Sequence, residues 1–150
     1  MINMNELMKE KLIKQDRLVK YTNLPKRIVA KTKLIKDCII YDNEGILKES
    51  DVDYNVVIKR YGDKTGFEVA CNDISIDKNK LDVSQMIAFL SELNRELVKT
   101  YNRKMVLYIQ DKEDYYQLRF HTFWDDESIW LVEDLNVYDI PIMCYIAEEI

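Results

Sequence analysis

Glycine and proline are almost missing from this 150-residue chain, which has three of one and two of the other. That scarcity excludes long flexible linkers and glycine-rich phosphate loops. Neither G-x-G-x-x-G nor a P-loop can be written from Gly45, Gly62 and Gly66. Histidine occurs once, as His121. Cysteine occurs three times, at Cys38, Cys71 and Cys144, far apart and without a C-x-x-C pair. An odd, scattered set disfavours a disulfide framework or a zinc site and reads as buried, reduced thiols in a cytosolic protein. No run approaches the ~20 apolar residues of a membrane span. The N-terminal MINMNELMKEKL lacks the apolar core of a signal peptide, so a cytoplasmic location is expected. A G-x-S-x-G elbow is also missing, and no cysteine has a catalytic context. No cofactor is expected.

What is present fits one globular domain with a sizeable core: 47% of residues are hydrophobic and 33% charged. Abundant Lys, Ile and Asn match the bias of AT-rich bacterial or phage genomes. The net charge of −5 hides an uneven distribution. Residues 1–40 carry ten Lys/Arg against four acids, whereas residues 121–150 carry eight acids and no Lys or Arg. Such a split between chain ends points to a charged partner.

Along the chain, apolar spacing predicts a helix over residues 3–22, capped by Asn3 or Asn5. Pro25 then opens a segment, 25–36, that its β-branched residues leave open between helix and strand. A hairpin is expected over 38–49, turning at Asn43-Glu44-Gly45, and a second over 53–77, turning at Gly62–Gly66. A bulge is expected near Asn72-Asp73. Residues 82–101 carry a capping box, Asp82 with Gln85, and an apolar stripe from Val83 to Tyr101. A third hairpin joins KMVLYIQ to YYQLRFHTFW. In its second strand Tyr116, Leu118, Phe120, Thr122 and Trp124 form the expected core face, with Tyr115, Gln117, Arg119, His121 and Phe123 opposite. The segment IWLV reads as a short strand, and residues 140–150 as strand or helix. The expected fold is α+β: an antiparallel sheet of about four to six strands built from hairpins and packed by one long helix (82–101). A basic helical segment (1–37) precedes the α+β domain (38–150) in one compact unit.

Three features could carry function. Asp125, Asp126, Glu127, Trp130, Glu133, Asp134 and Tyr138 combine carboxylates with aromatic anchors, a pattern that steers and then holds a basic protein partner. In composition this resembles small acidic α+β proteins that inhibit basic toxins or nucleases, of the immunity or phage anti-defence kind. The expected function is therefore a non-catalytic cytosolic binding protein. Residues 15–34, QDRLVKYTNLPKRIVAKTKL, resemble a helix-turn-helix, although Val19 and Asn23 replace the small residue and the turn glycine of that motif. The resemblance implies a DNA-binding regulator in which Lys26, Arg27, Lys31 and Lys33 reach phosphates, with the 38–49 hairpin as a wing. Lastly, His121 near Asp125, Asp126 and Glu127 could serve an enzyme as general base or metal ligand.

Overall fold

A computed structural model describes residues 1–14 and 23–147. Five antiparallel strands form the central sheet in the order β1 (Ile2–Met4), β7 (Ile142–Ile146), β5 (Met105–Asp111), β6 (Tyr115–Thr122), β4 (Ile74–Asp77). The expected hairpin of β5 and β6 is there, turned at Asp111–Asp114 with Glu113 in the left-handed region, and it forms the sheet's centre. A smaller hairpin pairs β2 (Thr32–Ile35) with β3 (Cys38–Tyr41).

Alternation divides the sheet into two faces. Leu107, Ile109, Tyr116, Leu118, Phe120, Ile74, Ile76 and Met143 point into the larger core. There they meet Met86, Phe89, Leu90, Leu93 and Leu97 of α5 (Met86–Tyr101). Asp82 and Gln85 form the predicted capping box, starting a 3-10 turn at Val83–Gln85 that runs into α5. Met8 of α1 (Glu6–Lys14) and Ile28 and Val29 of α2 (Leu24–Ala30) complete this layer.

The N-terminal segment differs from the helix predicted over 3–22. Residues 2–4 are an edge strand on β7, and the helix starts only after Asn5. The Asn5 side chain caps it, accepting from Met8 N at 3.1 Å, and also accepts from Ile142 N at 3.0 Å. Strand pairing holds residues 2–4 to the sheet, so the helical pattern yields to the ladder there. Residues 15–22 of the predicted helix lie outside the described residues. The boundary expected at residue 37 falls in the β2–β3 turn, and residues 1–14 and 24–35 share the core of the rest.

The ambiguous segment 25–36 divides into α2 and β2, with the left-handed Asn23 ahead of the helix. Residues 38–49 are not a hairpin: β3 pairs backward with β2, through a tight turn in which Lys36 and Asp37 take positive φ. Asp42 then fastens the next loop by accepting from Gly45 N and Leu47 N.

The expected hairpin over 53–77 is a pair of helices, α3 (Tyr54–Tyr61) and α4 (Lys64–Cys71), followed by β4. Aspartates decide it. Asp53 accepts from Asn55 N and Asp63 from Gly66 N, each capping a helix start. Gly62, at φ 87°, ends α3. Gly66 serves close approach: a Cβ there would lie 2.3 Å from the Tyr61 carbonyl oxygen. No bulge forms at Asn72-Asp73, which joins α4 to β4. The segment IWLV is loop rather than strand, and the C-terminal stretch resolves as strand β7.

Two side chains four residues apart, Glu68 on α4 and Asn72 just past its end, tie the small hairpin to the large sheet. The buried Asn72 accepts from Tyr41 N at 2.6 Å and donates to the Ile39 and Phe120 carbonyls. The Glu68 carboxylate, 0% exposed, accepts from Ile39 N, Thr122 N, Thr122 Oγ1 and the Trp124 indole at 2.8–3.0 Å. Burial pushes the Glu68 carboxyl up to about 7, against the opposing pull of these bonds.

Candidate interaction surface

The second face of the sheet is covered by a loop, residues 123–141. Val106, Tyr108, Ile142 and Cys144 of the sheet pack against Leu131, Leu135, Trp130 and Tyr138 from that loop. Trp130 meets Tyr108 edge-on at 5.3 Å between centroids, and the Arg119 guanidinium lies 5.1 Å from the indole centre on the same face of β6. Backbone and side-chain bonds from the chain's start hold the loop down. Asn5 Nδ2 donates to the Leu135 and Ile140 carbonyls, Asn3 Nδ2 to the Glu133 carbonyl, and Glu6 N to Asn136 Oδ1. Val132 N donates to the Tyr138 hydroxyl, closing the loop across itself.

This anchoring turns a polar segment outward. Asp125, Asp126, Glu133, Asp134 and Asp139 are all exposed, and none has an ion-pair partner among the described residues. Asp134 spends one oxygen on Asn136 N, capping a 3-10 turn at Leu135–Val137. Between the acids stand Val132, 53% exposed, and Val137, 65% exposed. Neither was singled out from the sequence, although two valines within a loop this acidic are the signal that could have found them. Trp130 and Tyr138 are half-buried and brace the loop from beneath.

Glu127 plays a different part from its acidic neighbours. Its carboxylate accepts from Lys64 N at 3.2 Å and from Thr65 N and Oγ1 at 2.8 Å, capping α4 from across the fold. It is therefore engaged within the chain. Trp124 is flanked by cations, with Lys64 Nζ 4.5 Å and the Arg103 guanidinium 5.4 Å from its ring centre.

His121 lies beneath the loop, 1% exposed. Its Nδ1 is 2.7 Å from the Thr122 carbonyl, a contact that requires Nδ1–H to donate. Nε2 then accepts, from Trp130 N at 3.4 Å and the Tyr108 hydroxyl at 3.1 Å. Burial pulls the imidazole down to about 4, so it stays neutral at physiological pH. Asp125, Asp126 and Glu127 are not among its hydrogen-bond partners. Among the described residues, no three His, Cys, Asp or Glu side chains converge as metal ligands.

A protein-family model matches residues 3–149, nearly the whole chain. The chain belongs to the Uncharacterized protein PM0498 family. No curated protein and no solved structure matches it.

In this family member the four basic candidates stand on α2, just after it and on β2. Lys26 and Arg27 are exposed on α2, a helix that ends at Ala30. Lys31 Nζ donates to Asn43 Oδ1 at 2.6 Å. Lys33 lies on β2, paired with Asp42 at 2.8 Å and donating to the Leu47 carbonyl. The first helix of the helix-turn-helix resemblance lies outside the described residues. The helix that follows Asn23 is seven residues long, and residues 38–49 are not a hairpin. Buried thiols were a further expectation. Cys38 and Cys144 are buried and Cys71 half-buried, all three unpaired, and burial pushes Cys38 and Cys144 up to about 12.

Proposed function

We propose that the protein is a non-catalytic, cytoplasmic binding protein whose 123–141 loop captures a basic macromolecular partner, as inhibitor and immunity proteins do. The observation that carries this reading is the set of five exposed carboxylates that have no ion pair among the described residues, interleaved in sequence with two exposed valines on a firmly anchored loop. Carboxylates set out in this way accelerate encounter with a cationic surface, and the valines supply area that is dehydrated on docking. Anchoring by Asn5, Trp130 and Tyr138 reduces the ordering entropy lost on association. The described helices include none long and apolar enough to cross a membrane, which is compatible with this setting.

The test is calorimetric titration against basic proteins encoded beside this gene. Replacement of Asp125, Asp126, Glu133 and Asp134 by their amides removes four charges without touching the core. Affinity should fall at least about tenfold and lose much of its salt dependence. Unchanged affinity in that variant rejects the loop as the contact surface.

A further inference from the structure

A cleft of about 370 Å³ opens between α2 and the edge strand β4, within the ~300–1,000 Å³ range of small-molecule sites. Its floor is apolar, formed by Leu24 and Ile28 of the helix and Ile74 and Ile76 of the strand, with the Tyr41 ring among its walls. Its rim is cationic. Arg27 lies on α2, Lys31 just past its end four residues on, and Lys80 follows the end of β4. Asp77 also lines the cleft, but one of its oxygens accepts from Asn79 N in the turn after β4. Three cations against one carboxylate leave two positive charges.

These cations are not consumed by the fold. Among the described residues, the Arg27 and Lys80 side chains have no hydrogen-bond or ion-pair partner. Lys31 is held by Asn43 Oδ1, a neutral acceptor that also takes a bond from the Tyr41 hydroxyl at 3.3 Å. Asn43 thereby positions a cation and an aromatic ring at the same cleft while leaving the charge unbalanced. On its outer side β4 has no strand partner among the described residues, so backbone polar groups are available beside the cations. Two excess positive charges that include a guanidinium suit a phosphate monoester, dianionic near neutrality, better than a single carboxylate. The apolar floor and Tyr41 suit a ring attached to it.

We propose that this cleft binds a ring-bearing phosphate monoester of nucleotide size, its phosphate met by the Arg27, Lys31 and Lys80 rim and its ring laid on Tyr41, Ile28 and Ile74. The site lies on the helical side of the sheet, away from the acidic loop, and stands or falls independently of it.

The test is a nitrogen-15 NMR titration of the full chain with adenosine 5′-monophosphate, uridine 5′-monophosphate, inorganic phosphate and adenosine. Either nucleotide should shift the amides of Lys31, Ser75 and Lys80 saturably at submillimolar concentration. Inorganic phosphate should move the same amides about tenfold more weakly, and adenosine more weakly still. The Arg27→Ala/Lys80→Ala variant alters two exposed side chains and should keep its circular dichroism while losing at least about tenfold in nucleotide affinity. Failure of both nucleotides to produce saturable shifts at millimolar concentration overturns the proposal, as do shifts centred away from the cleft or full affinity in the double variant. Tighter binding of an acidic peptide than of either nucleotide also overturns it and makes the cleft a strand-addition groove.

Discussion

Four donors converge on the Glu68 carboxylate in a place that water does not reach. Removing the acceptor with Glu68→Leu strands Ile39 N, Thr122 N and the Trp124 indole at once. At about 1–3 kcal/mol for each unsatisfied buried group, partly relieved by relaxation, the variant should lose about 3–5 kcal/mol in chemical denaturation. Glu68 and His121 also act on stability in opposite senses. Glu68 titrates near 7 in the fold against an ordinary 4.5, so the native state holds an extra proton between those values. Its contribution therefore declines as pH rises through that window. His121 is pulled down to about 4 from 6.5, so the unfolded state holds the extra proton, and its contribution is lost as pH falls from 6.5 toward 4. Between about 4.5 and 6.5 the two slopes oppose each other. A His121→Gln variant should expose the Glu68 slope, changing the pH dependence of unfolding free energy by up to about 1.4 kcal/mol per pH unit in that window. An unaltered slope would show that His121 does not titrate as its burial requires.

The elements that sequence patterning identified correctly are those where one periodicity dominates. The stripe from Met86 to Leu97 and the alternation along Tyr116, Leu118 and Phe120 each meet the large core, so local pattern and tertiary burial agree. Residues 53–72 misled for the opposite reason. Val56, Val57 and Ile58 favour strand, and Phe67, Val69 and Cys71 alternate, yet Asp53 and Asp63 cap helices there. Glu68 and Asn72, four apart, were the helical signal, but they are polar and so escaped a search for apolar spacing. Glu127 was legible as an acid but not as a cap, because its partners are about sixty residues away in the chain. Glu127→Ala should destabilise the protein by about 1 kcal/mol, seen as a lowered melting temperature, the ordinary cost of losing a helix cap. Gly66→Ala should cost more, about 1–3 kcal/mol, since its methyl group meets the Tyr61 carbonyl. Equal melting temperatures for wild type and Gly66→Ala would refute the close approach of α3 and α4.

At the scale of the whole molecule, the sheet is covered by helices on one face and by an irregular loop on the other. Hairpin and helix patterning placed the chain among α+β domains, and the charge at its two ends was plain to read. The folding of the acidic end over the second face was not, because the bonds that fasten it come from Asn3, Asn5 and Glu6 at the opposite end of the chain. That closure leaves Val132 and Val137 exposed on the same loop as five carboxylates that have no ion pair among the described residues, and the proposed binding role rests on them. The most direct measurement is the association rate constant with the basic partner at low and high salt, for wild type and for the variant with Asp125, Asp126, Glu133 and Asp134 replaced by their amides. Wild type should associate at least about tenfold faster at low salt, and the variant should be slow at both salt concentrations, with its melting temperature unchanged. Equal rates and equal salt dependence for the two proteins would contradict the assignment of the 123–141 loop as the binding surface.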